Sequence, residues 1–240
     1  MHTKNVYKKL IITSTKLMDF CEGYMGKSDL SKRAYDYLFE HILANDYAPG
    51  TTIVEGEVCE ALNMSRTPVR EAMHRLEVEG LVYRIKDIGT LVREITYDDI
   101  VEIFEIRILY ELHALKSYVE NVPEDEIRSL EKQLLELNVS TVAQAYYNVD
   151  REFHKSIMRF CSNSRMVNYL KTINAQIEKL RRISATTPKR LAKSREEHLA
   201  IVQAVCARDY NKANASLAFH LEEVKKSVIE AFRNSKIIRS

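Results

Sequence analysis

The sequence predicts a mainly α protein: an N-terminal winged helix-turn-helix of three helices plus a β-hairpin wing, followed by an all-α antiparallel helical bundle. Three observations predict it. Helix formers dominate, with only six glycines and four prolines in 240 residues. Strand-forming runs are confined to residues 81–95, where they flank a single turn. From Thr96 onward the apolar residues recur with helical spacing and no further strand signal appears. The expected division is an extension over 1–27, a head over 28–95 and a bundle over 96–240.

In the head, Ser28 to Asn45 reads as the first helix, with Tyr35, Leu38, Phe39 and Ile42 as its apolar stripe. Pro49-Gly50 signals a turn. A short second helix, Glu55 to Leu62, turns Val58 and Leu62 inward, and Asn63-Met64 makes a sharp turn into the third. Thr67 reads as the N-cap of that helix, Pro68 as its first residue and Gly80 as a left-handed C-terminal cap. Val69, Met73, Leu76 and Gly80 share the inward stripe. Arg66 and Arg70 sit on another face at the N-terminal end, where a recognition helix presents side chains to a major groove. Leu81–Ile85 and Thr90–Ile95 read as two strands around 86–89, and Gly89 at the tip would let backbone approach phosphate closely.

The bundle is expected as helices over roughly 96–119, 123–138, 141–160, 164–184, 189–207 and 211–232. Thr96 caps the first, with Asp98 and Asp99 in its first turn.

Charge narrows the function. Residues 1–27 carry +3, residues 28–95 carry −4 and residues 96–240 carry +3. A net acidic head excludes a broad, non-specific electrostatic binder, so DNA binding must rest on a local cluster: Arg66, Arg70, Arg75, Arg84, Lys86 and Arg93. No apolar run approaches the ~18 residues of a membrane span. The four cysteines, Cys21, Cys59, Cys161 and Cys206, are scattered without a CxxC pair. They fit free thiols in a reducing cytoplasm better than a disulfide framework.

The bundle holds a second constellation. Asp150 and His154 are spaced i, i+4 and share a helical face with Ile157 and Cys161. His198 shares its stripe with Val202 and Val205, and His220 lies with Leu217, Leu221 and Val224. One histidine on an apolar face is ordinarily a satisfied core residue. Three of them, with an aspartate one turn from the first, point further, because buried aspartate is rare unless paired or metal-bound. Three nitrogens and one carboxylate suit a divalent Zn, Ni, Mn or Fe ion with positions left open.

Together these residues resemble the GntR superfamily of bacterial transcription regulators, in the branch carrying the FCD effector domain. The resemblance spans about residues 30–232. Its marks in the head are Pro49-Gly50, Met64-Ser65-Arg66-Thr67-Pro68-Val69-Arg70-Glu71-Ala72, Arg75-Leu76, Glu79-Gly80-Leu81-Val82 and Gly89. Those in the bundle are Phe104-Glu105-Ile106-Arg107, Asp150, Phe153-His154, Asn163, Glu197-His198 and His220. The resemblance implies a homodimer on a short palindromic double-stranded operator. It assigns operator contacts to the positions of Arg66 and Arg70 and a minor-groove approach to Gly89. Ser65, Thr67 and Arg75 complete the candidate DNA-binding set. It also implies a divalent metal on Asp150, His154, His198 and His220, and a small organic-acid or sugar-acid effector that pairs with an arginine. Arg107 is the candidate; an ion pair with Glu105 or Glu111 is its alternative role.

Two departures bear on the operator. Many relatives carry a basic residue where this chain has Gly56, and another where it has Ile88. The operator is therefore expected to differ from the family's usual one. Residues 1–27 match nothing in the pattern: Val6, Leu10, Leu17 and Phe20 suit an extra packing helix, and the lysines suit a basic arm on DNA. The expected protein is a ligand-responsive regulator, a repressor in cytoplasm with no membrane partner. The rivals are a metal-dependent enzyme, which lacks a general base and a catalytic motif here, and a regulator with a metal-free pocket.

Overall fold

In the computed structural model, residues 27–137, 143–184 and 188–237 are described. They form two units. One comprises the residues up to Glu77 together with Val82–Val92; the other comprises Val78–Leu81 and the chain from Arg93 onward. The expectations for residues 1–26 lie outside the described residues.

The first unit contains α1 (Lys27–Leu43), β1 (Thr52–Ile53), α2 (Glu55–Leu62), most of α3 (Arg66–Val78), β2 (Val82–Ile85) and β3 (Gly89–Val92). Its buried apolar side chains include Leu38 and Ile42 of α1, Val58 of α2, and Val69, Met73 and Leu76 of α3. Asn63 closes α2 in the left-handed conformation, and its N–H bonds back to the Cys59 and Glu60 carbonyls. This is the sharp turn between the two helices, made by a residue type that tolerates positive φ.

Three details differ from expectation. α3 begins at Arg66, so Ser65 precedes it and Pro68 is its third residue instead of its first. The first-turn N–H groups have no intrahelical acceptor, so proline sacrifices no bond anywhere in that turn. Gly89 is not at the wing tip: it opens β3 opposite Ile85, and the turn is made by Lys86, Asp87 and Ile88, with Asp87 left-handed at φ 64°. Finally the sheet has three strands, ordered β1-β3-β2 and antiparallel throughout. After Pro49-Gly50, with Gly50 at φ 80°, the chain is laid along β3 so that Thr52 faces Leu91 and Ile53 faces Thr90. The Gly50 N–H donates to the Val92 carbonyl, which continues the pairing back to the turn. A third strand covers an edge that a lone hairpin would leave open.

The second unit is helical: α4 (Tyr97–Asn121), α5 (Glu124–Glu136), α6 (Ala143–Arg159), α7 (Ser164–Ser184), α8 (Pro188–Cys206) and α9 (Tyr210–Ile237). A reciprocal capping box starts α4: Thr96 Oγ1 accepts from the Asp99 N–H, and Asp99 Oδ2 accepts from the Thr96 N–H. Asn163 Oδ1 caps α7 by accepting the N–H groups of Arg165 and Met166, and Asp209 Oδ1 does the same for α9 at Lys212. α9 packs against α8, α4 and α7, while α6 lies against α4. The core runs through Leu115, Tyr118, Val119, Phe153, Ile157, Ile201, Val202, Leu217 and Leu221. A second cluster joins Ile100, Phe104, Ile177, Leu180 and Val228 nearer the start of α4. Among the described residues no helix is long and apolar enough to cross a membrane.

Candidate metal centre and nucleic-acid interface

The four predicted ligands converge. Asp150 and His154 come from α6, His198 from α8 and His220 from α9. One ligand atom from each lies within 4.8 Å of all the others, and all four residues are buried. His154 Nε2 is 3.3 Å from His198 Nε2, and Asp150 Oδ1 is 3.7 Å and 3.5 Å from these two nitrogens. His220 Nε2 is buried without a hydrogen-bond partner. An apolar core gives no reason to leave such an atom unmatched, since an unsatisfied buried polar group costs about 1–3 kcal/mol. A cation at this point would satisfy it.

Each imidazole is oriented from behind. Glu111 on α4 accepts at 2.5 Å from His154 Nδ1, and its other oxygen accepts from Arg107 Nε at 2.8 Å. Glu197 on α8 accepts at 2.8 Å from His220 Nδ1 while holding Arg190 through both guanidinium nitrogens at 2.9 and 3.0 Å. The Tyr146 hydroxyl sits 3.1 Å from His198 Nδ1 and donates to Ser194 Oγ. Proton donation from Nδ1 in all three leaves each Nε2 lone pair facing the cluster, which is how ligating histidines are held.

Electrostatics keep the set in its ligating form. Burial pushes the His198 and His220 imidazoles down to about 3 and His154 well below its ordinary value, so all three stay neutral. Burial alone would raise the Asp150 carboxyl. Arg181, with Arg107, instead holds it well below the usual carboxylate range. The Arg181 guanidinium reaches Asp150 at 3.5 Å and Glu178 at 3.6 Å. Burial likewise raises the Tyr146 phenol, which remains protonated and able to donate.

A small cleft opens on the Asp150 side, with a volume of about 10 Å³, room for about one water molecule. Its walls include Arg107, Arg181, Arg190, Tyr146, Tyr147 and Ser194. Arg107 is 1% exposed. Glu111 takes only its Nε, and both terminal nitrogens are buried with no hydrogen-bond partner. The expected alternative role with Glu111 is thus present, and it occupies only one edge of the guanidinium.

The candidate DNA-binding residues sit in the first unit. Ser65, Arg66, Thr67 and Arg70 are exposed at the start of α3, with the two arginines one turn apart. Arg70 Nε pairs with Glu55 Oε1 of α2 at 2.5 Å. Arg75 lies further along, its guanidinium 3.7 Å from the centre of the Tyr35 ring. Gly89 has φ 119°, a backbone state that side chains disfavour, and an added Cβ would lie 3.3 Å from Thr52 Cγ2. Arg84 and Lys86 are exposed on the wing, and Ile88 is 59% exposed beside them.

Sequence reasoning missed the supporting groups. Glu178, Arg181 and Ser184 are charged or polar residues set among the buried Ile177 and Leu180 on one face of α7, a signal visible in the spacing. Tyr146 and Ser194 lie one turn before Asp150 and His198. Glu197 adjoins His198 but serves His220, which spacing along one helix cannot reveal.

Fold and site together define a winged-helix DNA-binding protein with a helical domain built around a buried ligand set. A family model for the FCD domain matches residues 102–223, and one for bacterial regulatory proteins of the gntR family matches residues 30–92. The chain belongs to the GntR family and carries its FCD domain; it is a transcriptional regulator. It is 29% identical over 203 residues to the HTH-type transcriptional regulator YdhC of Bacillus subtilis (strain 168), covering 82% of this chain and 91% of the relative. It is 24% identical over 205 residues to the HTH-type transcriptional repressor RspR of Escherichia coli (strain K12), covering 83% and 89%. In fold it is similar to the solved structure of E. coli McbR/YncC, with a TM-score of 0.70 at 22% identity over 86% of this chain and 98% of that one.

Proposed function

We propose that the protein is a dimeric, ligand-responsive repressor of a palindromic operator that senses a small carboxylate at a divalent metal held by Asp150, His154, His198 and His220. The observation that carries the reading is the four-ligand cluster, backed by Glu111, Glu197 and Tyr146, beside a cleft into whose wall Arg107 brings two unpartnered donors. Repression is argued from the relative named as a repressor.

The charge count supports an anionic ligand. Of the charged residues that line the cleft, Arg107, Arg181 and Arg190 are cationic and Asp150 alone is anionic. A divalent cation held by Asp150 and the neutral imidazoles would add to that positive surplus and leave it to be matched by an anionic ligand. Buried charge favours neutrality, because desolvation penalises any surplus. Arg107 offers the planar two-donor edge that matches a carboxylate. The metal, when bound, supplies a Lewis-acid centre for an oxygen ligand. Ser65, Arg66, Thr67 and Arg70 would contact the operator, with Gly89 letting the wing backbone approach it.

Elemental analysis of protein purified without an affinity tag tests the metal. About one bound transition metal per chain is expected, lost on His198→Ala; a metal-free wild type would sink that part. Anisotropy titration against the protein's own upstream region tests the DNA part. Sequence-specific, salt-sensitive binding altered by small organic or sugar acids is expected, and its absence under every ligand condition would overturn the reading.

A further inference from the structure

We propose that Gln176 and Lys179 of α7 couple occupancy of the Asp150 site to the recognition helix and the wing. This rests on the readings of the buried cluster as a metal site and of α3 as the recognition helix. The second unit includes the short stretch Val78–Leu81, where α3 ends, and Arg93, which follows β3. α7 holds both. Gln176 Nε2 donates to the Glu79 carbonyl at 2.9 Å, and Lys179 Nζ donates to the Arg93 carbonyl at 3.3 Å. The Arg93 N–H in turn donates to the Leu81 carbonyl at 2.8 Å, which ties the two exits together. Glu79 lies just past the helix end, where carbonyls lack intrahelical partners, so Gln176 caps α3 from outside. Gly80, left-handed at φ 72°, makes room for it: an added Cβ would stand 2.5 Å from Gln176 Nε2.

The opposite face of the same stretch of α7 serves the cluster. Residues two apart on an α-helix point about 200° apart. Glu178 and Arg181 are therefore set against Gln176 and Lys179, and Arg181 reaches Asp150 at 3.5 Å and Glu178 at 3.6 Å. One helix thus carries the site on one side and two backbone exits on the other. A divalent cation at Asp150 draws that carboxylate's charge to itself and weakens its hold on Arg181. Glu178 keeps the guanidinium on its own helix, so α7 is freed to turn or slide against α6, which bears Asp150. The two carbonyl bonds carry that shift to the ends of α3 and β3. Occupancy biases DNA binding by as much as it favours one placement of α7 over the other.

The experiment uses the full-length chain, loaded with Zn²⁺ or stripped by chelator with its metal content measured, and a duplex selected from a random-sequence library. The readouts are the ratio of duplex affinities in the two states and, without DNA, hydrogen exchange at residues 79–81. In wild type, loading is expected to change duplex affinity about fivefold or more and to alter exchange at those amides. Gln176→Ala should bring the ratio below about twofold and abolish the change in exchange. It should retain Zn²⁺ as wild type does, because Gln176 is outside the ligand set. Gln176→Glu keeps the shape and loses the donor, so it should behave like Gln176→Ala. Lys179→Met, which leaves the Glu79 bond in place, should lower the ratio less. An unchanged ratio in Gln176→Ala, or a wild-type ratio in Gln176→Glu, would overturn the proposal. So would a Zn²⁺-retaining wild type whose affinity and exchange ignore the metal. Failure to enrich any sequence would instead overturn the DNA-binding reading, with exchange still deciding the coupling. A wild type that retains no Zn²⁺ would overturn the metal reading and the proposal with it.

Discussion

The two halves of the molecule use arginine–glutamate pairs in opposite ways. In the head, Arg70 and Glu55 pair with side chains 59% and 29% exposed. In the bundle, Arg107 and Glu111 meet with side chains 2% and 3% exposed, and Glu111 also holds His154. Exposed pairs contribute about 0–1 kcal/mol to stability, because water screens them and both side chains lose freedom. A buried pair is weak evidence of net stability, yet removing one partner strands a charge that solvent cannot reach. Geometry in the head is therefore cheap to alter, while geometry in the bundle is locked to the fold itself.

Four substitutions sharpen that contrast. Glu111→Ala should have the largest effect, destabilising the chain by about 3–5 kcal/mol because Arg107 is left buried and unpaired. Urea unfolding would show it, and a loss below about 1 kcal/mol would mean that the Arg107 site is wetter than its burial indicates. Next, Glu197→Gln should weaken metal retention by 10–100-fold in a chelator competition, since it loosens the support behind His220. Unchanged retention would separate Glu197 from the ligand set. Arg75→Ala, which removes the guanidinium stacked on Tyr35, should cost about 0.5–2 kcal/mol of stability. An effect on DNA affinity without any on stability would instead assign Arg75 to the operator. The smallest effect belongs to Ile88→Ala on the wing, expected to stay within about 0.5 kcal/mol of wild-type stability by thermal unfolding. A larger loss would show that the wing tip packs against something.

How far the sequence foretold these halves follows from what a one-dimensional pattern encodes. The Thr96–Asp99 capping box, α2 and the inward stripe of α3 depend on spacing within one element, and they were readable. The clustering of Asp150, His154, His198 and His220 was readable for a related reason: each imidazole projects from the apolar side of its own helix, so periodicity turned all three inward, with Asp150 one turn from His154. β1 was not readable, because two residues carry no period and their conformation comes from pairing with β3. Nor were the links from Glu197 to His220 or from Arg181 to Asp150, which join different helices. The wing turn was read one residue too long: Gly89, expected at the tip, instead pairs with Ile85 as the first residue of β3, and Asp87 within the turn is left-handed.

The adjacency of Glu197 and His198 has a mechanical consequence. Successive residues on an α-helix point about 100° apart, so α8 faces the cluster with one side chain that enters it and another that braces a neighbour's. Ser194, one turn earlier, anchors the hydroxyl behind His198, and Arg190 grips Glu197 from two turns back. The helix therefore behaves like a keyed shaft. A turn of a few tens of degrees, or a slip of one residue, would pull a ligand and the brace of a different ligand out of line together. Any motion that tunes this site has to carry α8 as a rigid piece.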